Sequence, residues 1–114
     1  MEHDELAYWY SAADFYISGS HREGSGYALI ECMACGCIPV VTTIPPFKTI
    51  TDDGRLAIMF GPGDANGISN AIRMATGLDK QEWSGKIVQH FNRRLSFKAI
   101  ADDIYNVCTA VMNK

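Results

Sequence analysis

Short apolar runs alternate with segments of helical period along most of the chain. Ala13-Asp14-Phe15-Tyr16-Ile17-Ser18 has strand character and gives way to polar Gly19, Ser20, His21 and Arg22. Ile38-Pro39-Val40-Val41-Thr42 reads as a second strand and Leu56-Ala57-Ile58-Met59-Phe60 as a third. Both are continuously apolar and bounded by Gly, Pro or Asp, as strands buried in a parallel sheet are. Between the first two strands, Tyr27, Ile30, Met33 and Ala34 recur at helical spacing, and that segment closes at Gly36 with Pro39 beyond. Upstream, Leu6, Trp9, Tyr10 and Ala13 mark one face of a short opening helix for which Asp4 is the expected cap. Asp64 begins a helix whose expected buried face is Ile68, Ala71, Ile72 and Ala75, and Asp79 with Glu82 makes a capping-box-like start to a helix bearing Trp83, Ile87, Val88 and Phe91. A last helix is expected to bury Phe97, Ile100, Ile104, Cys108 and Val111. Strands alternating with helices predict an α/β fold, with a short parallel sheet flanked by helices.

The first strand-to-helix connection carries the candidate chemistry. Glu23-Gly24-Ser25-Gly26-Tyr27-Ala28-Leu29-Ile30-Glu31 sets two carboxylates around a glycine loop that enters a helix. First-turn N–H groups lack intrahelical partners and sit at the positive end of the helix dipole, so a phosphate can bind there without a dedicated basic side chain. Gly24 and Gly26 let an anion approach the backbone. Glu31 lies about one turn past Tyr27, where its carboxylate can accept hydrogen bonds from a vicinal diol such as a nucleotide ribose. Glu23 then faces the other end of the ligand. The alternative is that Glu23 is a solvated loop acid and Glu31 a surface helix acid.

Composition narrows the class. The chain has 114 residues, 47% hydrophobic and 20% charged, enough for one modest core. No apolar run is long enough to span a bilayer, and Met1-Glu2-His3-Asp4-Glu5 is acidic where a signal peptide is basic, so a cytoplasmic location is expected. A formal charge of -3 without a dense Lys/Arg cluster argues against nucleic acid, Arg93-Arg94 being too short. Cys32, Cys35 and Cys37 invite a metal reading, but no His lies close in sequence and Cys108 stands alone, so no metal is expected and the cysteines read as small packing residues. Redox chemistry at Cys32-x-x-Cys35 is disfavoured because the pair sits at a helix end rather than at an N-terminus, where a thiolate is stabilised.

Glu23 to Glu31, continued by Cys32-Met33-Ala34-Cys35-Gly36-Cys37-Ile38-Pro39-Val40-Val41, resembles the E-x7-E and following "EAMACGxPVV" signature of retaining GT-B glycosyltransferases of family 4, glycosyl transferases group 1. Asp14 to Ser20 is similar to the family's "ADvfvlPS" strand. Asp53-Gly54 with Pro62-Gly63-Asp64 resembles its "DG…PGD" segment, and Ser96-Phe97 its "fsW" helix start. The resemblance implies that residues 1–114 form a single partial nucleotide-sugar-binding domain. This would be a partial Rossmann-like three-layer unit, the later part of the C-terminal, donor-binding domain. It implies that Glu23 contacts donor-sugar hydroxyls and assists at the anomeric centre, that Glu31 holds the ribose, and that Gly24, Ser25, Gly26, Tyr27, Ala28 and Leu29 present backbone N–H groups to the diphosphate. The donor is then a nucleotide-diphosphate sugar, with no further cofactor. The acceptor, carbohydrate or lipid-linked, is met through an N-terminal domain outside this chain, and a membrane-peripheral setting suits the full-length enzyme. The family's upstream Arg and Lys, which neutralise the leaving diphosphate, lie before the stretch corresponding to residue 1, so the isolated chain is expected to be inactive. Ending after a complete helix, the C-terminus is expected to be natural.

The loop Thr42-Thr43-Ile44-Pro45-Pro46-Phe47-Lys48 follows a parallel strand, where open α/β sheets bind ligands, and reads equally as a stiff turn set by two prolines. Three functional readings stand at this point. They are the donor half of a glycosyltransferase, a nucleotide-sugar-binding module without turnover, and an interaction domain whose truncated sheet pairs with another copy, by self-association, or with another chain.

Overall fold

The three expected strands form β1 (Phe15–Ser18), β2 (Ile38–Thr42) and β3 (Ile58–Phe60) in a computed structural model that describes residues 12–22, 24 and 26–112. The opening helix expected around Leu6, Trp9 and Tyr10, with its Asp4 cap, lies outside the described residues, as do Glu23 and Ser25. The strands pair in parallel in the order β1-β2-β3, with Phe15 opposite Ile38 and Val40 opposite Ile58. Between and after them run α1 (Tyr27–Ala34), α2 (Pro45–Ile50), α3 (Ala65–Thr76), α4 (Lys80–His90), a π-helical segment (Phe91–Leu95) and α5 (Phe97–Met112). The fold is α/β, a three-stranded parallel sheet flanked by helices, and is a partial Rossmann-like domain.

The central strand β2 is buried on both faces, as its unbroken apolar run requires. Adjacent residues of a strand point to opposite faces, and two core clusters follow from that. Val41 packs with Leu29 and Met33 of α1, Phe47 of α2 and Ile87 of α4, whereas Val40 packs with Ile58, Phe60 and Ala71 and Ala75 of α3. Asp64 and Asp79 cap α3 and α4 as expected, accepting from the N–H groups of Gly67 at 2.9 Å and Glu82 at 3.2 Å. Lys80 then ties the start of α4 to β1, through Asp14 at 3.4 Å and over the Phe15 ring.

Three expectations are corrected. The Pro45-Pro46 segment is not a stiff turn but the first turn of α2. Ile44 is the N-cap, the prolines occupy positions whose N–H groups would be unpaired anyway, and Phe47 is driven into the core. On α3, Ala71 and Ala75 are buried but Ile72 is exposed. On α5 the expected buried stripe is open: Phe97 is 93% exposed, Ile100, Ile104 and Val111 are exposed, Cys108 is exposed, and only Ala99 is buried. A helical apolar stripe encodes a face that must be covered, and among the described residues this one is left mostly open, its first turn facing α1 across a groove.

Candidate functional site

The carboxyl ends of β1 and β2 hold the connection into α1. Fully buried Thr42 donates its hydroxyl to the Ser20 carbonyl at 2.6 Å, and the Ser18 and Ser20 hydroxyls are 3.0 Å apart. These bonds anchor Gly19–Arg22 over the sheet end before the glycines begin. The Thr42 anchor escaped sequence reasoning, because a bond between residues 22 apart exists only once the β1–β2 register is set.

Gly26 is the N-cap of α1 and adopts the left-handed conformation, with φ +70°. A Cβ at this position would lie 2.5 Å from Cδ1 of Ile50, so conformation and space both require glycine. Ile50 is held in turn by His90, whose Nε2 donates to the Ile50 carbonyl at 3.0 Å and so carries the proton. The glycine turn therefore rests on α2, and α2 on the end of α4.

Among the described residues no side chain caps α1. The Ile30 N–H closes on the Gly26 carbonyl at 3.0 Å, which leaves the N–H groups of Tyr27, Ala28 and Leu29 without intrahelical acceptors at the positive end of the helix. Of these residues Leu29 buries its side chain in the core and offers only its backbone, whereas Tyr27 and Ala28 are exposed. Gly24 is exposed, and a Cβ there would meet no described atom within 4 Å, so a ligand can come close beside it.

Glu31 is half-buried one turn further along the same face. With Tyr27, Ile30 and Ala34 it lines one wall of a groove of about 340 Å³, and Phe91, Leu95, Phe97 and Ile100 line the other. A carboxylate on an otherwise apolar wall can accept two hydrogen bonds from a diol while the apolar side chains cover the ring that bears it. Of the eight expected site residues, six are thus described together at one end of α1. Glu23 and Ser25 lie outside the described residues.

A second cavity, of about 270 Å³, opens on the same sheet end between Gly19 and His21 of the β1–α1 connection and Phe60 at the end of β3 with Gly63 and Asp64 beyond it. Here the Pro62-Gly63-Asp64 segment meets His21, whose ring lies 3.5 Å from where a Gly63 Cβ would be. In the sequence His21 stands out only as a polar loop residue. Arg22 is exposed.

Among the described residues no three His, Cys, Asp or Glu side chains gather where they could hold a metal ion. All four cysteines are thiols; Cys32 and Cys37 are buried, and Cys35 is half-buried. Cys32 is hydrogen-bonded to Cys37, and this bond together with burial drives the Cys32 thiol far above its ordinary range. No described helix is long and apolar enough to cross a membrane.

Several known proteins are similar to this chain in sequence. The chain is 34% identical over 67 residues to a GDP-mannose:cellobiosyl-diphosphopolyprenol alpha-mannosyltransferase of Komagataeibacter xylinus, covering 58% of this chain and 17% of that protein. It is 25% identical over 111 residues to a sulfoquinovosyl transferase of Arabidopsis thaliana, 93% of this chain and 22% of that one. A D-inositol 3-phosphate glycosyltransferase of Streptosporangium roseum is 28% identical over 94 residues, 82% of this chain and 18% of the relative. The chain thus spans roughly a fifth of the length of these relatives. Residues 1–76, which include β1, the glycine connection, α1, β2 and β3, match the family model described as "Glycosyl transferases group 1", and the chain belongs to that glycosyltransferase family.

Proposed function

We propose that this chain is the donor-binding part of a retaining, GT-B-type glycosyltransferase that uses a nucleotide-diphosphate sugar. The observation that carries the reading is Gly26. Its left-handed turn opens a helix N-terminus that no described side chain caps, at the carboxyl end of a parallel sheet, with Glu31 one turn beyond. In this reading the N–H groups of Tyr27, Ala28 and Leu29 meet the diphosphate and Glu31 takes the ribose hydroxyls. Glu23, ahead of the glycines, serves the donor sugar and assists at the anomeric centre.

Sugar transfer leaves a nucleoside diphosphate carrying the negative charge of the broken bond. Backbone N–H groups fixed before the reaction stabilise that charge without reorganising, which is how such donors accelerate a transfer. The share supplied by α1 is a few partial charges. Further cations and the acceptor site are assigned to polypeptide outside this chain, so the isolated chain binds donor and does not turn it over. The acceptor of the full-length protein is a carbohydrate or a lipid-linked carbohydrate, in keeping with the diphosphopolyprenol and inositol phosphate substrates in the names of the relatives. The full-length protein works in the cytoplasm or at its membrane face.

Calorimetric titration with UDP, GDP and ADP tests the reading. At least one nucleotide should bind, and Glu31→Ala should weaken it about tenfold to a hundredfold, the equivalent of one hydrogen bond to a charged group. Equal binding by wild type and Glu31→Ala overturns the assignment of Glu31. No binding by any of the three, alongside a concentration-dependent oligomer, replaces the donor-site reading with the interaction-domain one. Turnover by the isolated chain contradicts its inactivity.

A further inference from the structure

The end of α1 closes in a Schellman motif. The Cys37 N–H donates to the Cys32 carbonyl at 3.0 Å, the Gly36 N–H donates to the Met33 carbonyl at 3.0 Å, and Gly36 sits at φ +85°. Gly36 has no room for a side chain, because a Cβ there would run into the Ser84 hydroxyl of α4, so the closure is held from both sides. In this motif the residue three before the helix end and the second residue past it are drawn together and usually share a hydrophobic contact. Here those two positions are Cys32 and Cys37, each 1% exposed. The Cys32 thiol is hydrogen-bonded to Cys37, and Cys37 Sγ lies 3.6 Å from the Ala13 carbonyl, to which it donates. The two positions whose side chains normally close the motif are therefore both cysteines.

We infer that Cys32 and Cys37 form an intramolecular disulfide site, closed by peroxide, that staples the C-terminal turn of α1 to the start of β2. Paired backbone bonds already hold these residues side by side, and a disulfide needs Cα atoms about 4.4–6.8 Å apart. The Cys32 hydrogen bond lowers the pKa of Cys37 against the opposing effect of burial, so Cys37 is the thiol of the pair that ionises, releasing its proton from the Ala13 carbonyl. Its thiolate attacks one oxygen of hydrogen peroxide, the O–O bond breaks, and Cys37 becomes a sulfenic acid as the leaving hydroxide takes up the proton that Cys37 gave up, making the first water. The Cys32 sulfur then attacks the Cys37 sulfur. The S–S bond forms, the S–O bond breaks, and the departing hydroxide takes up the Cys32 proton. Two thiols are oxidised by two electrons, and one peroxide becomes two waters. Half-buried Cys35 lies between the two in sequence but occupies the helix cap, outside the closing pair. The inference does not depend on the donor-site reading, because it concerns the opposite end of α1.

The test uses the full chain with Cys35→Ser and Cys108→Ser, and the wild-type chain beside it. Each is treated with hydrogen peroxide while folded, then unfolded, alkylated and weighed by mass spectrometry. The doubly substituted chain should lose the mass of two hydrogens, resist alkylation at both remaining cysteines, and recover both thiols with dithiothreitol. Adding Cys37→Ala should abolish that loss. In the wild-type chain, fragmentation should find the bridge between Cys32 and Cys37. Full alkylation of both thiols, oxidation that stops at a single sulfinic acid, or a wild-type bridge that includes Cys35 overturns the inference.

Discussion

Replacing Gly26 by alanine tests the turn on which the candidate site is built. A non-glycine residue in the left-handed region costs about 1–2 kcal/mol. The new Cβ also meets Ile50 Cδ1 at 2.5 Å, and overpacking a core costs about 1–3 kcal/mol, towards the lower end here because the atom that must move is the tip of a side chain. Ile50 has little freedom to retreat, since it is 7% exposed and its carbonyl is held by His90. The two effects together give a loss of about 2–3 kcal/mol, a large share of the 5–15 kcal/mol typical of a domain. Urea unfolding measures it, and a partner substitution separates the two causes. Ile50→Val deletes Cδ1 at a cost of about 0.5–1.5 kcal/mol on its own. The double variant should then be about 1 kcal/mol more stable than the sum of the single losses, because the clash has gone and only the backbone cost remains. A Gly26→Ala chain within about 0.5 kcal/mol of wild type would refute the reasoning. Strict additivity with Ile50→Val would refute its steric half.

Further substitutions probe other supports of the site. Thr42→Val removes the buried hydroxyl that holds the Ser20 carbonyl and should cost about 1–2 kcal/mol in urea unfolding, with faster amide exchange across residues 19–22. Phe47→Ala should cost about 3–5 kcal/mol, whereas Phe97→Ala should change the stability of this chain by less than about 0.5 kcal/mol, and similar losses from the two would show that α5 is covered. Asp64→Ala and Asp79→Ala should each cost about 1 kcal/mol and add in combination, because each cap serves its own helix; no loss from either would remove its capping role.

Local chemistry was legible in the sequence. Asp64 and Asp79 stand one residue before apolar periodic segments, and both cap as their side-chain chemistry dictates. The run at 13–18 forms a strand over 15–18, the run at 38–42 forms with the bounds expected, and Gly36 ends α1 because only glycine suits its left-handed turn. Boundaries set by competing turns were less legible. Asp52, Asp53 and Gly54 all take positive φ, and the turn they make consumes Leu56 and Ala57, so β3 starts at Ile58. Pro45-Pro46 was ambiguous because proline both breaks helices and begins them, and only the burial of Phe47 decides which happens here. What depends on long-range placement was not legible at all. Thr42 beneath Ser20, His90 beneath Ile50 and His21 beside Gly63 follow from how the elements pack. The apolar stripe of α5 was read correctly as a pattern and wrongly as a buried face, since periodicity shows that a face seeks cover without supplying it. For the site, the glycine turn and Glu31 could be found from type and spacing, whereas the groove formed with Phe91, Leu95, Phe97 and Ile100 required the fold.

The central claim is that a nucleoside diphosphate binds across the first turn of α1. Backbone amide resonances of the chain, followed by nuclear magnetic resonance during titration with UDP, GDP or ADP, test it most directly. The account predicts that the N–H signals of Tyr27, Ala28 and Leu29 move most, that residues around Glu31 move with them, and that the corresponding nucleoside without phosphates leaves the first-turn signals in place. Shifts confined to other surfaces, or equal first-turn shifts with the nucleoside, would contradict it.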